Sequence, residues 1–185
     1  MASIVHIKPM RSTHFFLFSL AALAGCAFPA PLPPAAPAPE PPIQRAATAG
    51  PYAGMESRIL SLVNAERRER GLRPLVWNDR LDQAAKLHAR NMATYRKMSH
   101  VIPEAKLSTL SARAQHVQYP YAMIAENIAL GYTDAESVVR GWMGSPGHRR
   151  NILSPEAAEI GTGVVSSRTG GLYFCQVFGR RLTSI

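Results

Sequence analysis

The sequence predicts an α+β domain, and three observations carry the prediction. Apolar residues recur at helical spacing between residues 55 and 97. Helix-start signatures follow near Thr133 and Ser145, and two strand-like runs, Ile160 to Val165 and Gly171 to Phe178, flank the turn signal Thr169-Gly170-Gly171. Helices first and a hairpin last put helices against an antiparallel sheet. A chain of 185 residues has room for one domain of roughly 100 to 150 residues plus an extension.

The extension is at the front. Lys8 and Arg11 form a positive region, Phe15 to Ala24 is a mostly apolar run, and Leu23-Ala24-Gly25-Cys26 follows. The apolar run is about half of the roughly 20 residues a membrane-spanning helix needs, so residues 1–25 are expected to be an export signal. The tetrad ending at Cys26 resembles the lipobox of bacterial lipoproteins, which implies lipidation of Cys26 and a membrane anchor; a secreted protein cleaved nearby is the alternative. Ala27, where an aspartate is absent, suits sorting to the outer membrane of a Gram-negative envelope. Eight of the fourteen residues from Pro29 to Pro42 are proline. Such a stretch favours extended polyproline II and cannot build a core, so residues 26–53 are expected to be a disordered tether and residues 54–185 the domain.

Loss of residues 1–25 would remove Lys8 and Arg11 and no acid, taking the formal charge from +9 to +7. The remaining basic residues, among them Arg67, Arg68, Arg70, Arg149, Arg150, Arg180 and Arg181, are dispersed and lack interleaved aromatics. That argues against nucleic acid and for a solvated face compatible with anionic envelope polymers. With Cys26 lipidated, Cys175 has no disulfide partner and is expected to be a small buried hydrophobe.

Within the domain, Ile59, Leu62, Val63 and Glu66 share one face of a helix expected over 55–70, ended by Gly71. Asp79 is the expected N-cap of a second helix over 80–97, whose inner face is Leu81, Ala84, Ala85, His88, Met92 and Tyr95. His88 on that face is expected to be structural. Pro103 biases its predecessor away from helix, which leaves His100 on a loop. A weaker helix is expected over 104–115. Glu126 and Asn127 interrupt the apolar run Ile124 to Ala129, so Glu126 should be partly buried and needs a histidine, an arginine or a metal as partner. Thr133 to Glu136 fits a capping box for a helix over 134–144 with Val138, Val139 and Trp142 inward. Ser145 and Pro146 then read as N-cap and first residue of another helix, which puts His148 at its third position.

These residues, taken together, are specific enough to resemble a family. Leu62-Val63-Asn64, Pro74-Leu75-Val76-Trp77-Asn78, Ser99-His100, Glu126-Asn127-Ile128, Trp142-Met143, Ser145-Pro146-Gly147-His148-Arg149, Glu159-Ile160-Gly161 and Gln176-Val177-Phe178-Gly179 resemble, in order, the bacterial CAP or SCP-like domain. The resemblance implies an α-β-α sandwich with a small antiparallel sheet enclosed by helices. It also implies a cleft of two histidines and two acids, able in many members to bind a divalent metal. Position by position, His100, Glu126 and His148 carry over. Ser145 stands where the second acid would be, and Ala125 stands where a glycine usually precedes the Glu-Asn pair.

His100, Glu126 and His148 are enough to ligate zinc or a similar ion with one position open, although no cofactor is required by the reading. The preferred expectation is an envelope-anchored module that binds a lipid, a glycan, an envelope protein or a metal through this cleft, with Ser145 on its rim. The alternative is a metal-dependent hydrolase of peptides or cell wall using the same cleft. Ser145 does not lie in a nucleophile elbow, and its capping position already explains it.

Overall fold

In the computed structural model of the chain, residues 3–6 and 50–182 are described. Cys26 and nearly all of the expected signal and tether lie outside them. A short strand β1 (Ser3–His6) falls inside the segment expected to be the export signal. No helix among the described residues is long and apolar enough to cross a membrane.

The domain follows as α1 (Ala53–Arg68), β2 (Val76–Trp77), α2 (Asp79–Tyr95), α3 (Leu110–His116), β3 (Tyr121–Leu130), α4 (Ala135–Gly144), α5 (Pro146–Ile152), β4 (Glu159–Ser166) and β5 (Leu172–Arg181). The strands form one sheet in the order β1-β3-β5-β4-β2, antiparallel except for the pairing of β2 with β4. This is the expected α+β arrangement.

Strand alternation assigns the two faces. Met123, Ala125 and Ala129 of β3 join Phe174 and Phe178 of β5 in a core with α1 and α4. Ile124 and Ile128 join Tyr173, Cys175 and Val177 in a second core with α2 and α3. Glu126 keeps the parity of the second group, and Asn127 that of the first. The sheet thus presents a carboxylate to one helical layer and an amide to the other.

Local chemistry sets the helix ends, with corrections of a residue or two. Asn78, not Asp79, caps α2, its side chain accepting from the main chain of Arg80 and Leu81. Asp134, not Thr133, caps α4 through Ser137 N–H, and Glu136 pairs with Arg58 instead of closing a box. The third helix begins at Leu110, six residues later than expected, because residues 103–107 form turns instead. β3 is the one long element without a prior expectation; Glu126 and Asn127 mask its apolar run.

Arg67 contradicts the reading of the arginines as a solvated face. It lies four residues after Val63 on the buried side of α1, only 1% exposed. Its guanidinium donates to the carbonyls of Arg73 (2.8 Å), Ile152 (2.7 Å) and Ser154 (2.9 Å). It thereby satisfies the chain ends that leave α1 and α5.

Helix α2 packs on β4 without intervening side chains. A Cβ on Gly161 would lie 1.9 Å from the Asp82 nitrogen, and one on Gly163 would lie 2.5 Å from the Lys86 nitrogen. Gly161→Ala should therefore force the helix off the sheet and lower unfolding free energy by about 3 kcal/mol. Gly54→Ala, where an added Cβ meets nothing within 4 Å, should leave stability unchanged or raise it by up to about 1 kcal/mol. Urea denaturation of the two variants checks this; equal midpoints would contradict the close packing.

Candidate functional site

A wholly buried carboxylate is the centre of the site. Glu126 lies mid-strand in β3 with 0% exposure, where an ionised group persists only if its oxygens are paired. Both are. Oε2 accepts from Nη2 of Arg113 at 2.7 Å and faces the Cys175 thiol at 3.5 Å. Oε1 lies 2.9 Å from Nδ1 of His100, so a proton there donates to the carboxylate, and 3.6 Å from Nε2 of His88. Burial alone would raise the Glu126 carboxyl. The His100 hydrogen bond and the Arg113 charge outweigh it and hold the group below its ordinary 4.5.

Each partner is delivered by a different element. Arg113 is on the inner face of α3, three residues after the buried Leu110, and its Nη1 donates to the carbonyls of Leu107 and Ser108 at 3.2 Å each. His100 is on the connection from α2 to α3, pinned by the buried Ile102 and Ala105. His88 projects from α2 into the same space, as its position on that face predicts. Burial drives its imidazole down from 6.5 to about 4, against the pull of the Glu126 charge and with a push from Arg113. Burial likewise raises Cys175 well above a thiol's ordinary range, so it stays protonated and inert as a nucleophile.

The other half of the site is built on α5. Pro146 occupies the first helical position and Ser145 the cap, but the Ser145 side chain makes no capping hydrogen bond. The helix is held by amides instead. Asn127 donates to the His148 carbonyl at 3.1 Å, and Asn151 donates to the Asn127 side chain at 2.9 Å and to the Glu126 carbonyl at 3.2 Å. His148 thus reaches β3 from the Asn127 face and His100 from the Glu126 face, so the two histidines bracket the strand's outer edge. Burial lowers the His148 imidazole, and nearby His100 adds to the effect. Its Nε2 is buried without a hydrogen-bond partner among the described residues.

The expected metal set does not fit this geometry. Among the described residues no three His, Cys, Asp or Glu side chains are grouped to hold a metal ion. No hydrogen bond or ion pair joins His148 to Glu126 there, and a guanidinium occupies one face of the carboxylate in the set. The same ion pair and the His100 hydrogen bond engage both Glu126 oxygens, and Ser145 is engaged, among the described residues, through its main chain. Arg113 is the residue that sequence reasoning missed. The spacing Leu110, Arg113, Ala114, Val117 would have shown it facing inward had the helix been started at Leu110.

Comparison with known proteins agrees with the fold. Residues 60–178 match the family described as CAP, the cysteine-rich secretory protein family. The chain is 34% identical over 125 residues to the uncharacterized protein YkwD of Bacillus subtilis (strain 168), a match covering 68% of this chain and 47% of that protein. A crystal structure of an extracellular protein containing a SCP domain from Bacillus anthracis superposes with a TM-score of 0.64 at 28% identity, covering 72% of this chain and 44% of the other. An outer surface protein of Borrelia burgdorferi gives a TM-score of 0.61 at 22% identity over 67% of this chain and 90% of its own, a likeness of fold. The chain thus spans less than half the length of the two Bacillus proteins it matches.

Two measurements follow from the buried network. Arg113→Met should cost about 4 kcal/mol by stranding the Glu126 charge, and a second change, Glu126→Gln, should recover part of it. His88 is depressed when folded, so the unfolded chain binds the extra proton. Stability should fall by about 3 kcal/mol as pH drops from 6.5 to 4 and change little from this source below that. Glu126 acts in a different window: its contribution is present above 4.5 and is lost as pH falls further. Urea titrations of His88→Gln across this range should show a flatter slope than the parent above pH 4.5; an unchanged slope would remove His88 as the cause.

Proposed function

The chain belongs to the CAP (cysteine-rich secretory protein) family, and on that premise we propose that it is an exported binding module, tethered to the envelope through a lipid on Cys26. The ligand is held at the edge of β3, between His100 and His148. One observation carries the reading: the imidazole Nε2 of His148 is buried beside the cleft without a hydrogen-bond partner among the described residues, whereas both oxygens of Glu126 are engaged in holding the cleft together. A site with its carboxylate locked by Arg113 is suited to recognition, because the groups that would have to exchange protons in hydrolysis are already committed to one another.

The extracellular and surface character of the two structural neighbours named above supports an extracytoplasmic place. The Leu23-Ala24-Gly25-Cys26 tetrad and the proline-rich run after it support the anchor, the run spanning on the order of 40 Å if extended. A lipid, a glycan fragment or an envelope protein is the ligand class this reading admits.

Full-length protein made in a Gram-negative host should partition into detergent-soluble membranes, and Cys26→Ser should appear in the soluble fraction; a Cys26→Ser protein still retained by membranes would remove the anchor. Native mass spectrometry of the protein taken from envelope extracts should show an adduct. His148→Ala should lose that adduct with its melting temperature unchanged, and an adduct retained by His148→Ala would move the site elsewhere.

A further inference from the structure

Sheets satisfy the main chain of an edge strand by pairing it, covering it or leaving it to water. The outer edge of β3 is satisfied in two ways that meet at Glu126. From Glu126 onward α5 and α4 cover it, Asn151 donating to the Glu126 carbonyl and Trp142 to the Ile128 carbonyl. From Met123 to Glu126 it is paired with β1, antiparallel, in the register Ser3 to Glu126, Ile4 to Ala125, Val5 to Ile124 and His6 to Met123. β1 lies within the stretch that export processing at Cys26 would remove. The processed protein would then present four residues of unpaired edge, already shaped for a strand and walled by His100 and His148.

The surroundings say which strand fits. An antiparallel occupant leaves the edge at Met123 in its C-terminal direction. Met123 also lines a depression formed by Met143, Pro146, Leu153, Arg149 and Arg150. Its wall is largely apolar; Glu156, also on it, is paired with Arg180 at 3.6 Å, and the two arginines are exposed and make no ion pair among the described residues. In sequence the leader follows its paired segment with Ile7 and the cation Lys8, the opposite charge to the one that two arginines favour. An occupant with an apolar residue followed by an acid would complement the depression better.

We infer that the cleft of the processed protein captures an extended peptide by strand addition to Met123–Glu126, with preference for an apolar and then an acidic residue after the paired segment. The inference rests on the cleft and the export processing proposed above, and names the ligand class. Because main-chain groups make the pairing, binding tolerates varied side chains along the strand and discriminates beyond its C-terminal end.

The test uses the chain from Ala27, which keeps both hydrophobic cores whole since their residues run from Ile59 to Phe178. The probes are a synthetic peptide of residues 1–8 and its Lys8→Glu version, followed by fluorescence anisotropy. Both should bind the chain from Ala27, the Lys8→Glu peptide about tenfold more tightly, and Arg149→Glu with Arg150→Glu should abolish that preference. N-methylation of one alternate set of peptide nitrogens, the set facing β3, should weaken binding by about tenfold or more, and methylation of the other set should not. The full chain, whose edge is filled, should bind neither peptide. Absence of binding to the chain from Ala27, equal loss from both methylation patterns, or equal binding by the full chain would overturn the inference. Intact mass of the envelope-derived protein separately reports whether the chain starts at a lipidated Cys26, so a failure of export processing is told apart from a failure of strand capture.

Discussion

The ion pair between Arg113 and Glu126 is the constraint on which the site depends. A carboxylate with no exposure, in the middle of a strand, is a severe liability unless cationic donors are brought to it. Here the donors come from α3, from the connection before it and from α2. Meeting the needs of one side chain therefore fixes three separate pieces of chain against the same strand. The cost of burying the charge is offset only when all are in place, which ties the positions of His100 and His88 to correct packing of α3.

The opposite face of β3 is held by neutral groups. Asn127 and Asn151 link α5 to the strand through amides and carbonyls, with no charge to desolvate. The two histidines that flank the edge are consequently supported in unlike ways: His100 by an ionised partner, His148 through its own main chain, which leaves the ring of the latter uncommitted. A binding group needs that kind of support, with a firm backbone and a side chain not used for structure.

Features decided by neighbours in sequence were legible without coordinates. Pro146 after Ser145 marks a helix start whatever surrounds it, and the spacing from Leu81 to Met92 fixes the inner face of α2, with His88 on it. Glu126 could be recognised as a buried acid in want of a partner. The partner itself was not legible, because Arg113 is far from it in the chain and sits in a helix whose start is set by Thr109 after an irregular stretch. Arg67 misled for a related reason: an arginine in a basic cluster counts as surface until the carbonyls of Arg73, Ile152 and Ser154 are seen around it. The triad His100, Glu126 and His148 has the right residue types for a metal. Only the contacts show that Arg113 and His100 take up the Glu126 carboxylate, while His148 makes no hydrogen bond to it among the described residues.

The place of β5 in the sheet has a consequence for when the fold can form. β5 lies between β3 and β4 and pairs with both over most of their length, yet of the described strands it is the last to leave the ribosome. Until residues 172–181 exist, β3 and β4 have no common neighbour, and the two apolar layers have no shared wall to close upon. Helices of this length have marginal stability without a sheet to pack on, so closure of the fold waits until synthesis is nearly complete. A chain exported as proposed above would need that delay, because a polypeptide threads a membrane channel in extended form, and the strand order supplies it.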